Sequence, residues 1–165
     1  HTSNRGKGAA FLTGLDNAAG EYVVIQDADL EYDPADYLKL LQEIKVSAAD
    51  MVLGARFTKG YKGLFMHRWG NRVLSNIFNF IFCSRLNDWY SCYKFLRRDT
   101  AISLQLRGQA FNIDIEIVAK VIKNRCRIRE VPIAYYPRAY SEGKKIRWSD
   151  AMHALFYIIK YRFGG

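Results

Sequence analysis

Apolar and polar positions change period along the chain in blocks, and each block predicts an element. In residues 6–20, Ala9, Ala10, Leu12, Leu15 and Ala18 recur near helical spacing, with Gly20 as a stop. The run EYVVIQ at 21–26 is short, apolar and bounded by turn formers, which predicts a buried strand. Asp33 and Pro34 read as the N-cap and first residue of a helix bearing Tyr37, Leu38, Leu41 and Ile44. DMVLGAR at 50–56 predicts a second buried strand. This helix–strand–helix–strand order implies an α/β domain with a largely parallel sheet. Ligands of such sheets bind beyond the carboxyl ends of the strands, where an acidic cluster and Arg56 lie.

The second half is patterned differently. Residues 67–82 fit a helix with Arg68, Arg72, Ser75 and Asn79 on one stripe and mostly apolar residues elsewhere. SCYKFLRR and RIREVPIAYY read as strands. FNIDIEIVAKVIK is ambiguous, alternating like a strand at its start and periodic like a helix at its end. Residues 149–163 begin with a Ser-Asp cap and are apolar almost all round. No repeat, low-complexity tract or domain linker interrupts the chain.

Composition narrows the partners. The 165 residues suffice for one domain with a real core, and half of them are apolar. The 25 Lys and Arg against 16 Asp and Glu, a formal charge of +9, point to anionic partners: nucleic acid, phosphorylated substrates or an acidic membrane surface. Cys83, Cys92 and Cys126 form no CxxC pair, so reduced thiols in a cytosolic setting are expected. No uncharged apolar run of 18 or more residues is present, so no bilayer span is predicted within the chain.

Against that positive balance, QDADLEYDP sets Asp27, Asp29, Glu31 and Asp33 at every second position. On an extended backbone these would share one face, and two such charges ~6.5 Å apart repel by roughly 2.5 kcal/mol at a dielectric of about 20. Either a cation offsets that repulsion or the segment turns and disperses the charges. An Asp-x-Asp at a strand end suits Mg2+ or Mn2+, which favour oxygen ligands and share them with substrate phosphates. An acidic loop leading into a helix cap is the plainer alternative.

NRGKGAA, GEYVVIQDADLEYDP, VLGAR, DWYSCYK, EVPIAYYPR and SEGKKIRW occur in this order along nearly the whole chain. Together they resemble family 2 glycosyltransferases, above all the dolichol-phosphate mannosyltransferase group and its bacterial polyprenyl-phosphate relatives. The resemblance implies a GT-A fold, Rossmann-like, with a largely parallel sheet flanked by helices. It also implies a nucleotide-sugar donor (GDP- or UDP-linked) bound with Mg2+ or Mn2+. The implied acceptor is a polyprenyl (dolichyl or undecaprenyl) phosphate at the cytoplasmic face of a membrane, the plasma membrane of a prokaryote or the endoplasmic reticulum.

Carried over by position, Asp27 and Asp29 match the family's DxD pair. Glu31 stands where many relatives have Gln and completes the implied metal set. Asp33 is better explained as a helix cap. Arg56 matches an arginine aimed at the acceptor phosphate, and Arg72 resembles a second, with Ser75 one turn away. A solvated helix face is the alternative for Arg68 and Arg72. Asp88, in a DxxS segment with Cys92-Tyr93-Lys94 where the family has Gly-Phe-Arg, either orients substrate oxygens or caps the next strand. Arg138, Lys144 and Lys145 belong to a basic loop that in the family meets the donor diphosphate or the lipid phosphate. Lys7 is a further donor-site candidate. Cys83, Cys92 and Cys126 read as fillers, and His67 and His153 have no partner pattern.

A lipid monophosphate is largely dianionic at neutral pH, with a second pKa near ~6, so its attack on the anomeric carbon needs no strong general base. The family implies inversion there. Residues 1–148 are expected to be the carboxyl-terminal portion of the catalytic domain, and 149–165 an amphipathic, membrane-interfacial helix. The family's amino-terminal strand, which reads the nucleotide, is not seen in this sequence, so the 165 residues alone are expected to be inactive and prone to association. A homo-oligomer or a membrane-embedded partner is a further expectation. Three other readings compete: a family 2 enzyme with a saccharide acceptor, which would want a general base and a QxxRW-like motif that is absent, a basic nucleic-acid-binding domain, and a donor-binding fold that has lost catalysis.

Overall fold

The computed structural model describes residues 1–56, 65–137 and 148–164, and within these the side chains of 65–69 and 148–149 are not described. Helix α1 (Lys7–Asn17) leads to strand β1 (Tyr22–Val24), a 3-10 turn (Pro34–Asp36), α2 (Tyr37–Ser47) and β2 (Met51–Ala55). Then come α3 (Phe65–Phe82), β3 (Lys94–Arg97), α4 (Arg98–Ser103), α5 (Asn112–Lys123), β4 (Ile128–Pro132) and α6 (Trp148–Phe163).

The four strands form one mixed sheet in the order β1-β3-β2-β4. Strand β3 runs antiparallel to β1 (Val23 opposite Leu96) and to β2 (Val52 opposite Phe95). Strand β4 lies parallel to β2, from Met51 beside Ile128 to Ala55 beside Pro132. Three strands therefore share one direction, and the reversed β3 is inserted between β1 and β2. One end of the sheet consequently gathers the carboxyl ends of β1, β2 and β4 and the entry to β3. The acidic segment, Arg56, the 88–93 loop and Tyr135 all converge there.

Every residue of β2 is buried, as expected for a central strand covered on both faces. Helix α5 resolves the ambiguous stretch: Ile113, Ile115, Ile117, Val118, Ala119 and Val121 are buried, and so are Asp114 and Glu116. The strand-like alternation there is not the mark of a two-faced strand. The helix is enclosed, and each carboxylate at an otherwise apolar surface has its own partner. Glu116, for example, accepts the N–H groups of Arg107 (3.0 Å) and Gly108 (2.6 Å) and pairs with Lys120 (2.7 Å).

The Asp33 cap is present as expected, its side chain accepting the Ala35 N–H at 2.9 Å with Pro34 following. Helix α1 stops at Asn17, three residues before Gly20, because Ala18 is already extended. Helix α6 is continuous with the core: Ala154 and Ile158 are buried and Tyr161 accepts a 2.8 Å bond from Asn112. Among the described residues no helix is long and apolar enough to cross a membrane.

Candidate functional site

The acidic segment does not stay extended. Strand β1 ends at Val24, and the chain turns at Ala28–Glu31 through Leu30, which has φ 60 and is 88% exposed. A leucine in the left-handed region costs roughly 1–2 kcal/mol, which the surrounding structure must offset. The turn sends the four carboxylates to different places. Asp27 meets the Lys7 ammonium at 3.1 Å, and Asp29 accepts the Glu31 N–H at 3.1 Å. Glu31 is buried, with Oε2 accepting the Tyr135 hydroxyl at 2.9 Å, and Asp33 is the cap already described. Dispersal by a turn and compensation by a cation thus both operate.

Among the described residues no group of three or more His, Cys, Asp or Glu side chains stands ready to hold a metal ion. Asp27 and Asp29 remain partly exposed, and two carboxylates are the donor set with which Mg2+ or Mn2+ shares substrate phosphates. They fit such an ion; Glu31 beside them is 7% exposed and accepts the Tyr135 hydroxyl.

Lys7 reaches the site from the first turn of α1 because that helix end lies against the loop before α5. A Cβ on Gly8 would stand 2.1 Å from the Gly108 carbonyl oxygen, so only glycine permits this approach, and Ala9 donates to Gln109 at 3.1 Å. The Lys7 ammonium also lies 2.9 Å from Asp114, whose other oxygen is 3.0 Å from Lys94. Burial works against the Lys7 charge, but Asp114, with Asp27 adding, outweighs it and raises its pKa above the ordinary lysine value. Burial likewise opposes the Asp114 charge, yet Lys94 and Lys7 hold its pKa below the ordinary carboxylate value.

At the end of β2, Arg56 grips Asp88: Nε to Oδ2 and Nη2 to Oδ1 are both 2.8 Å, and the Arg56 backbone N–H adds a third bond at 2.9 Å. Asp88 is 1% exposed, and its own N–H is held by Glu130 of β4 at 2.9 Å. The guanidinium carbon stands 5.3 Å from the centre of the Tyr135 ring. Arg56 and Asp88, taken separately from the sequence, form one ion pair whose side chains are 11% and 1% exposed.

Helix α3 carries Arg72, Ser75, Asn76 and Asn79 along one wall of a polar cavity of about 310 Å3, whose other wall is Ser84, Arg85, Leu86 and Asn87. Asn79 shapes the second wall, accepting from Ser84 (2.7 Å) and Leu86 (2.9 Å) and donating to the Leu86 carbonyl (2.8 Å). Ser75 is buried, while Arg72 and Arg85 are exposed and, among the described residues, form no ion pair. Arg138, Lys144 and Lys145 lie outside the described residues, as does the Arg68 side chain. Cys92 is buried, which pushes its thiol up to about 12 and disfavours the reactive thiolate, and Cys83 and Cys126 are also free thiols.

Sequence reasoning gave no role to Lys94, Asp114, Glu130 or Tyr135. The first two had a legible signal: a charge at a position that periodicity assigns to the core requires a partner. Glu130 and Tyr135 had none, since their roles arise from β4 lying beside β2.

The fold is that of GT-A-like enzymes. Glucosyl-3-phosphoglycerate synthase of Mycobacterium tuberculosis, solved with Mn2+, UDP-glucose and phosphoglyceric acid, superposes with a TM-score of 0.67 at 16% identity, over 95% of this chain and 55% of that one. The chain belongs to glycosyl transferase family 2, whose profile matches residues 1–103. Among curated relatives, glycosyltransferase AglJ of Haloferax volcanii is 30% identical over 139 residues, 82% of this chain and 46% of its own length. A dolichol-phosphate mannosyltransferase of Pyrococcus furiosus is 28% identical over 153 residues, 87% of this chain and 41% of its own. The chain thus spans less than half the length of these relatives. Family membership leaves the nucleic-acid-binding reading without support.

Proposed function

We propose that the protein transfers a sugar, with inversion, from a nucleotide sugar to a polyprenyl phosphate at the cytoplasmic surface of a membrane. The observation that carries this reading is the cavity between α3 and the 84–87 loop. It presents two arginines without carboxylate partners among the described residues, one residue along the chain from the Arg56–Asp88 pair. The helix that builds it also exposes Val73 and Phe80, and α6, packed against α3, exposes Met152, Phe156, Ile159 and Phe163. Guanidinium forks beside exposed apolar side chains suit a phosphate that carries a hydrocarbon tail. The likeness to the dolichol-phosphate mannosyltransferase supports the same acceptor. A covering partner subunit is the other occupant this apolar surface would accept.

In this reading Arg72 and Ser75, with Arg85, hold the acceptor phosphate, and Arg56, fixed by Asp88, borders it. One phosphate oxygen forms the new bond to the anomeric carbon. The bond from that carbon to the donor diphosphate breaks, and its electron pair leaves with the diphosphate. No general base is needed, because the phosphate is already anionic. Asp114, enclosed by two lysines, is not placed to serve as one. Asp27 and Asp29 would hold Mg2+ or Mn2+, which when bound supplies positive charge to the leaving diphosphate. Lys7 stands beside Asp27 to meet that diphosphate, and the resemblance adds Arg138, Lys144 and Lys145 from the basic loop.

The test is acceptor kinetics of the full-length protein with a short-chain polyprenyl phosphate. Arg72→Gln and Arg85→Gln should each raise the acceptor KM about tenfold or more, as expected for loss of a charged hydrogen bond, with the donor KM unchanged. An unchanged acceptor KM in both variants would refute the assignment of the cavity.

A further inference from the structure

Four alternating charges run inward from the acidic segment: Asp27, Lys7, Asp114 and Lys94. Lys7 Nζ lies 3.1 Å from Asp27 and 2.9 Å from Asp114, and Asp114 offers its second oxygen to Lys94 at 3.0 Å. Lys94 has no exposed surface, and its ammonium also donates to the Ser91 carbonyl oxygen. A lysine so deeply placed on a central strand is tolerated only when its charge is met, and Asp114 meets it. That has an electrostatic result at the other end of the chain of charges. Asp114 is already balanced by Lys94, so it fixes Lys7 in place without cancelling its charge. The positive charge of Lys7 is left facing Asp27 and the mouth of the site.

The backbone reinforces this arrangement. The close approach of Gly8 to Gly108 and the bond from Ala9 to Gln109 lock the start of α1 onto the loop that leads into α5, which carries Asp114. Both ends of the Lys7–Asp114 contact are thereby set by one rigid junction. A lysine on a flexible stem gains most from such fixing, since its ammonium would otherwise spread over many rotamers.

We infer that Asp114, backed by Lys94, is a positioning residue that holds the Lys7 ammonium where the donor diphosphate binds. Asp114 is 5% exposed and acts only through Lys7. The inference rests on the donor site proposed above.

Calorimetric titration with inorganic pyrophosphate, with and without Mn2+, tests it on the full-length protein. Lys7→Met should weaken pyrophosphate binding about tenfold, the loss expected for one hydrogen bond to a charged group. Asp114→Asn should weaken it by a similar factor, and the double variant no further, a non-additivity that a purely structural role would not produce. Should Asp114→Asn fail to fold, the wild type carries the test: with 13C-labelled lysines, pyrophosphate should shift the Lys7 Cε resonance and leave that of Lys94 in place. Undiminished binding by folded Asp114→Asn, or an unmoved Lys7 resonance at saturating pyrophosphate, overturns the positioning role while the donor site stands. No pyrophosphate binding by the wild type, even with Mn2+, removes the donor site and the inference with it.

Discussion

Replacing Asp88 by alanine isolates the charge pairing of Arg56 at the sheet end. The substitution removes three bonds from Arg56, at 2.8, 2.8 and 2.9 Å, and leaves a guanidinium whose side chain is only 11% exposed. Removing one partner of a buried pair costs about 3–5 kcal/mol, because the remaining charge is uncompensated. Arg56 keeps the face of the Tyr135 ring, a contact worth roughly 0.5–2 kcal/mol, so the lower part of that range applies, about 3 kcal/mol. At a urea dependence of about 2 kcal/mol per molar, the unfolding midpoint should fall by about 1.5 M with an unchanged slope. Adding Arg56→Met should recover part of the loss, since two apolar side chains tolerate burial better than a charge that has lost its carboxylate. A midpoint shift below about 0.5 M, or a double variant as unstable as the sum of the singles, would refute this account of the pair.

Other expectations follow from the same geometry. Gly8→Ala places a methyl 2.1 Å from the Gly108 carbonyl oxygen and should destabilise the fold by about 1–3 kcal/mol, read by thermal unfolding. Asp114 has a folded-state pKa below its unfolded value, so its stabilising contribution is present above about pH 4 and is lost as pH falls through the folded value. Asp114→Asn should therefore be less stable at neutral pH and show a flatter acid limb in pH-dependent unfolding; an acid limb identical to wild type would contradict the depressed pKa. Replacing exposed Phe80 and Phe156 by serine should leave stability within about 0.5 kcal/mol but reduce flotation with anionic vesicles, and unchanged flotation would remove the membrane reading of α3 and α6.

The sequence made visible whatever depends on local periodicity or on a short ordered motif. The buried β2 strand, the Asp33–Pro34 helix start and the apolar outer faces of α3 and α6 were all legible because each is encoded within one segment. The path of QDADLEYDP was not, because alternation predicts one shared face only while the backbone stays extended. Here β1 ends two residues before Gln26, and Leu30 adopts a left-handed conformation that no leucine advertises. The helical state of α5 was hidden for a related reason: Asp114 and Glu116 look like the polar face of a strand until Lys7, Lys94 and the Gly108 N–H appear as their partners. The reversal of β3 depends on strand order, which is a long-range property. Arg56 and Asp88 were each singled out from the sequence, but that they are one pair, 32 residues apart in the chain, required the fold.

The central claim is tested most directly by incubating the full-length protein with Mn2+, a panel of radiolabelled GDP- and UDP-sugars and a polyprenyl phosphate, and then counting label in the organic phase. The account predicts label in a polyprenyl-phosphate sugar for at least one donor. That product should be lost with Asp29→Asn and on chelation of the metal, and strongly reduced with Arg72→Gln at low acceptor concentration. Label that reaches only water-soluble saccharide acceptors, or transfer to the lipid that survives both Asp29→Asn and chelation, would contradict it.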